Sequence, residues 1–182
     1  MGRFGDRGTL WLFGYGSLIW KADFAWIKRR SARILGWSRR FWQGSHDHRG
    51  TEDAPGRVVT LIRDADAVCA GAAYLITPEV FDYLDHREKN GYLRHAIEIH
   101  FDDDSSVEGL VYIATDANPA FLGPAPATEI ARHIARASGP SGSNRDYLSR
   151  LAGALRDMNA DDPHVFAIER QLLALADDAA SD

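Results

Sequence analysis

The sequence predicts an α+β fold, and three observations carry that reading. Short apolar or alternating runs bounded by turn residues fill the first two-thirds of the chain, which is the pattern of strands. Amphipathic stretches with apolar residues three and four apart fill the remainder, which is the pattern of helices. No repeat and no shift in composition divides the 182 residues, a length sufficient for one hydrophobic core. Residues 10–176 therefore read as a single domain, between a polar leader at 1–9 and a polar tail at 177–182, both expected to be flexible.

Leu10-Trp11-Leu12-Phe13 is a short buried strand that breaks abruptly into Gly14-Tyr15-Gly16-Ser17. Glycine has no Cβ, so this turn lets bare backbone approach a neighbour or a ligand. Residues 22–31 are mixed and basic and read as an irregular or short helical crossing. Residues 32–41, with Ile34, Leu35, Trp37 and Phe41, read as extended. A polar loop at 43–57 carries Gly44, Gly50, Pro55 and Gly56 as breakers. Residues 57–62 and 68–76 then read as two strands of a hairpin joined by a polar turn at 63–67.

Thr77-Pro78-Glu79 has the marks of a helix start: a capping hydroxyl, a proline in the first turn and an acid at the positive end of the dipole. That helix is expected to run to about Glu88 and stop before Asn90-Gly91. Ile97, Ile99 and Phe101 alternate with polar residues and predict a strand. A second strand is expected at 107–114 after a turn at 102–106. Helices are predicted over 127–137, 144–158 and 163–175, with Ser143 or Asn144 capping the second.

Composition narrows the function. A net charge of −5 argues against a general nucleic-acid binder, although Arg39-Arg40-Phe41-Trp42-Gln43 forms a local basic, aromatic stretch. These arginines could equally attract a small carboxylate-bearing molecule. One cysteine, Cys69, permits no internal disulfide and fits a reducing compartment. No signal peptide or membrane span is readable, so a cytoplasmic protein without membrane or nucleic-acid partners is expected. Seven histidines include His46-Asp47-His48, but none of the spacings is that of a zinc site, and no metal is expected. Nothing in the sequence sets the oligomeric state.

Two features could carry chemistry. The Gly14–Leu18 turn reads either as an ordinary glycine turn or as a concavity of backbone N–H groups for an anion. It is neither a Walker loop nor a nucleophile elbow. Glu88 shares a helix face with Phe81 and Leu84. It is either a solvated helix-end carboxylate or a desolvated one, whose raised pKa would make it a base at neutral pH. Tyr112, on the strand face of Leu110, projects into the sheet interior or a pocket, most simply bonded to backbone.

Together these pieces resemble the ChaC-type glutathione-specific γ-glutamylcyclotransferases. The resemblance is carried by Phe13-Gly14-Tyr15-Gly16-Ser17-Leu18-Ile19-Trp20, Arg39-Arg40-Phe41-Trp42-Gln43-Gly44-Ser45 and Asp47-His48-Arg49-Gly50. It continues through Pro55-Gly56-Arg57-Val58-Val59-Thr60-Leu61, Tyr83-Leu84-Asp85, Arg87-Glu88-Lys89 and Gly91-Tyr92. Asn118-Pro119, Gly139-Pro140-Ser141-Gly142 and Tyr147-Leu148 complete it. Asn90 stands where a glycine is common in that family, and His86 where an aromatic or aliphatic residue is frequent.

The resemblance implies a small mixed sheet curled into a barrel, surrounded by helices. It also implies cleavage of glutathione to 5-oxoproline and Cys-Gly without a cofactor. By position it makes Glu88 the catalytic acid/base. Leu12, Phe13, Gly14, Tyr15, Gly16, Ser17 and Leu18 become the substrate-binding strand end and turn, with Tyr112 a substrate contact. A non-catalytic module binding γ-glutamyl compounds, and a cyclotransferase acting on other γ-glutamyl peptides, are the alternative readings.

Overall fold

The computed structural model describes residues 8–87 and 91–180. Elements follow in the order β1 (Leu10–Gly14), β2 (Lys28–Ser45), β3 (Gly56–Ile76), α1 (Val80–Arg87), β4 (Leu93–Phe101) and β5 (Ser106–Ile113). Next come α2 (Ala127–Arg136), the two-residue strands β6 (Ser138–Gly139) and β7 (Gly142–Ser143), α3 (Asn144–Asp157) and α4 (Pro163–Ala180). The chain forms two compact units, one of residues 1–38 and 63–115, the other of 39–62 and 116–182. Strands β2 and β3 each continue from one unit into the other.

In the first unit the strands close a barrel in the order β1-β3-β2-β4-β5. Strand β1 is antiparallel to β3, with Leu12 opposite Tyr74, and parallel to β5, with Leu12 opposite Leu110. Leu12 and Phe13 are both buried, so β1 has no solvated face. Leu12 joins Tyr74, Ile76 and Tyr112 on the face covered by Val80, Phe81 and Leu84 of α1. The opposite face, with Phe13, Ile99, Phe101 and Val111, turns into the barrel. So small a barrel has no room for large side chains on every strand. A Cβ on Gly71 would lie 2.3 Å from Gly14 O, and one on Gly109 2.6 Å from Trp11 O.

The second unit packs α2, α3 and α4 through residues spaced three and four apart: Ile130 and Ile134, Leu148, Leu151 and Leu155, and Val165, Ile168 and Leu172, all buried. Each such side chain contributes about 1.5–3 kcal/mol by leaving water. Ser143 caps α3, its Oγ accepting from the Asp146 N–H at 3.1 Å. Fully buried Asn144 behaves as a strand neighbour, accepting from the Arg57 N–H (2.7 Å) and donating to the Arg57 carbonyl (2.8 Å).

Three sequence expectations are corrected. The supposed hairpin of 57–62 and 68–76 is one continuous strand, β3. Residues 63–67 contain no Gly, Pro or Asn to turn the chain, and their polar side chains are accommodated within the strand instead. Ser38 donates to Asp64 Oδ2 at 2.5 Å, and the Arg63 guanidinium lies 3.9 Å from the Trp37 ring centroid. The crossing expected at 22–31 ends at Ile27, because Lys28 already opens β2. At the C-terminal end, α4 continues past Leu175 to Ala180, taking in residues assigned above to the tail.

His164 makes stability in the second unit pH-dependent. Its Nε2 accepts the Phe41 N–H at 3.0 Å, and burial, reinforced by nearby Arg40, lowers its pKa from 6.5 to about 4. The unfolded chain therefore binds the proton first. Stability is complete above about pH 6.5 and is lost as pH falls toward 4, by up to about 3 kcal/mol. Urea melts at pH 7 and pH 4.5 should show a larger loss for the wild-type chain than for His164→Gln. Equal losses would place the protonation elsewhere.

Candidate active site

Strand β1 ends at Gly14, where a Cβ would lie 2.6 Å from the Leu18 Cβ. Only a glycine lets the chain fold back so closely. A single 3₁₀ turn, Ser17–Ile19, follows. The Ile19 N–H donates to Gly16 O (3.0 Å), and the Trp20 and Lys21 N–H groups donate to Ser17 O (3.2 and 2.8 Å). The Tyr74 hydroxyl donates to Leu18 O at 2.5 Å, and Arg29 Nη2 donates to Ile19 O at 3.0 Å. Arg29 Nε also donates to the Tyr74 hydroxyl oxygen (3.1 Å). Every carbonyl from Gly16 to Ile19 thus accepts a hydrogen bond. The bonds within the turn begin with the Ile19 N–H and do not use those of Gly16, Ser17 and Leu18. N–H groups at the head of a turn are the kind of donor that suits a carboxylate or a developing oxyanion.

Arg87, in the last turn of α1, holds this turn from the side. Its Nη2 donates to Ser17 Oγ at 2.9 Å, and its Nη1 forms an ion pair with Asp23. The Arg87 side chain is mostly buried, with 17% of it exposed. Tyr83, one helical turn earlier, also meets Asp23; burial first, and then that carboxylate, push its phenol pKa up.

A second polar group stands on α1, β4 and β5. Asp85 receives Arg94 Nε on Oδ1 at 2.9 Å and Arg94 Nη2 on Oδ2, a bidentate pair. The Tyr112 hydroxyl donates to the same Oδ1 at 2.6 Å. Arg94 and Tyr112 are cross-strand partners, and the Arg94 guanidinium lies 4.6 Å from the Phe81 ring centroid. The Arg94 hydrogen bonds, aided by that of Tyr112, hold the Asp85 carboxyl below its ordinary pKa against the cost of burial. Tyr15 closes the arrangement, donating its hydroxyl to the Tyr112 carbonyl at 2.8 Å.

Of the residues singled out in the sequence, Leu12 and Phe13 are buried in β1, and Tyr15 and Leu18 are buried in the turn. Gly14, Gly16 and Ser17 complete the turn. Tyr112 is buried, and its phenol bonds a side chain, Asp85, rather than backbone. Glu88 lies outside the described residues, as do Lys89 and Asn90; the residue before it, Arg87, is the one that grips the turn. Cys69 is buried in β3.

Sequence reasoning missed Asp23, Arg29, Tyr74, Asp85 and Arg94. Asp85 falls on the solvent side of the α1 pattern, and its partner arrives on the next strand, so no local spacing marks the pair. Arg39 is the reverse case. In the second unit it is buried and bonded to Asp162 at 2.7 Å, a structural ion pair rather than an open site for a carboxylate-bearing ligand.

Comparison with known proteins places these features in a family. The model of ChaC-like proteins matches residues 10–174. Glutathione-specific γ-glutamylcyclotransferase 1 of Danio rerio is 46% identical over 178 residues, covering 92% of this chain and 91% of its own. The Homo sapiens protein of the same name is 42% identical over 174 residues, covering 90% and 78%. The crystal structure of the yeast γ-glutamyl cyclotransferase specific to glutathione aligns with a TM-score of 0.85 at 34% identity, covering 92% of this chain and 97% of that one. A strand ending in a glycine turn, on a closed barrel and gripped by Arg87 from the end of α1, is thus the local structure of a chain that belongs to the ChaC-like family of γ-glutamylcyclotransferases.

Proposed function

We propose that this chain cleaves glutathione by closing its γ-glutamyl group into 5-oxoproline and releasing Cys-Gly. The observation that carries the reading is the turn, whose carbonyls from Gly16 to Ile19 accept bonds from the protein while the N–H groups of Gly16, Ser17 and Leu18 are not used within it. A γ-glutamyl substrate brings the complementary groups, an α-carboxylate and a carbonyl that becomes an oxyanion. Leu12, Phe13, Gly14, Tyr15, Gly16, Ser17 and Leu18 form the substrate-binding strand end and turn in this reading. Tyr112 contacts the glutamyl chain, and Glu88 is the acid/base.

The reaction follows from proximity. The α-amine attacks the γ-carbonyl of its own chain, so holding the glutamyl group folded supplies much of the rate. An ammonium has no lone pair to attack with. Glu88 therefore takes its proton and later delivers one to the departing Cys-Gly nitrogen, a service worth ~10²–10⁴-fold. Neither step calls for a cofactor, and the partner is the small-molecule substrate itself, in the cytoplasm.

Purified protein incubated with glutathione should yield 5-oxoproline and Cys-Gly in equal amounts by mass spectrometry. N-acetylated glutathione should yield neither, because its nitrogen cannot attack. Release of Cys-Gly from the acetylated peptide would replace cyclisation with hydrolysis. Binding without turnover of glutathione would make the chain a sensor.

A further inference from the structure

We infer that Arg87 is a positioning residue for the reaction, acting through Ser17: it occupies the serine oxygen as an acceptor and so leaves the serine hydroxyl to donate to the substrate's anion. The inference rests on the proposed function, and it assigns a role to a residue on which that reading makes no demand.

The geometry sets the direction of each bond. A guanidinium only donates, so at 2.9 Å Ser17 Oγ is the acceptor of Arg87 Nη2. A hydroxyl that accepts from a cation keeps its own proton and becomes a stronger donor for it. That proton then adds to the N–H groups of Gly16, Ser17 and Leu18, giving the turn a fourth donor. Asp23 completes the device by pairing with Nη1 of the same guanidinium. The Arg87 charge is thereby balanced within the protein, and the anion is left to the turn. Tyr83, which also meets Asp23, borders this pair on the same helix.

The fork also ties together three pieces of chain. Ser17 belongs to the turn after β1, Asp23 to the segment before β2, and Arg87 to the end of α1. One planar group with donors in fixed directions fits both partners, whereas a lysine, a single charge on a flexible stem, could satisfy one but not fix both.

The test is a double-mutant cycle on kcat/KM for glutathione with Ser17→Ala, Arg87→Met and the two combined. Each single change should lower kcat/KM about tenfold or more, and the double variant should be no worse than the poorer single, because Arg87 acts through Ser17. Arg87→Lys should fall between wild type and Arg87→Met, and it covers the case in which the methionine variant does not fold. Unchanged kcat/KM in both Arg87 variants, or losses that multiply in the double, would overturn the inference. An Arg87 that only stabilised the fold would lower the melting temperature without moving kcat/KM. Turnover by the wild-type chain tests the proposed function separately. Should it be absent, the same cycle read on glutathione affinity by calorimetry decides the role of Arg87, and absence of binding would sink both.

Discussion

Glu88→Gln is expected to lower kcat for glutathione by at least ~10²-fold while leaving a folded protein. The amide keeps the shape and hydrogen-bonding capacity of the carboxylate but cannot take the proton of the substrate ammonium. It is no harder to bury than a carboxylate, so no folding penalty is expected. Glutathione affinity should persist in part, because the turn and its ties to Tyr74, Arg29 and Arg87 are untouched. Asp82→Asn, exposed on α1, is the control and should leave turnover near wild type. A folded Glu88→Gln protein turning over at the wild-type rate would remove Glu88 from the mechanism.

The largest effect on stability is expected from Asp162→Ala. Its Oδ2 accepts from Arg39 Nη1 at 2.7 Å, with 1% of the arginine side chain and 13% of the aspartate side chain exposed. Its Oδ1 accepts from the Val165 N–H at 3.1 Å, capping the first turn of α4. One substitution removes both, leaving a buried guanidinium without its carboxylate and an N–H at the helix start without its acceptor. Breaking a buried pair from one side costs about 3–5 kcal/mol, and losing a cap about 1 kcal/mol more. Thermal melts should shift down by roughly 10 °C or more for a chain of this size. Arg39→Met combined with Asp162→Ala should recover part of the loss, since no buried charge is then stranded. A single Asp162→Ala variant melting within about 2 °C of wild type would show that the pair carries no net weight.

How far the sequence reaches depends on the range of the interaction being read. The helix begun at Thr77-Pro78 and the strands on either side of residues 102–105 are local patterns, and they were legible within a turn or two of their final bounds. So was the Ser143 cap. Strand β3 was not, because charged residues in the middle of a strand look like a turn until its neighbours are known. Barrel closure left no local trace either, since no periodicity says that β5 lies beside β1; it was expected only through family resemblance. At the candidate site the glycine turn was visible, because only its residue types allow that path. Its supports at Arg29, Tyr74 and Arg87, and the bond from Tyr112 to Asp85, come from elements that meet only in three dimensions.

The partners of β1 have a consequence for when this site comes into being. The strand that carries the turn is paired at residues 72–76 on one side and 109–111 on the other. Both are non-local contacts, whose loop-closure entropy must be met before they stabilise anything, and topologies rich in them fold on the slower scale of milliseconds to seconds. On the ribosome, a nascent chain that has exposed Gly14–Ser17 already contains every residue of the turn but has neither strand that flanks it. The earliest-made part of the site is therefore among the last to acquire its shape, and a chain cut short before β5 would carry the motif intact without the seam that shapes it.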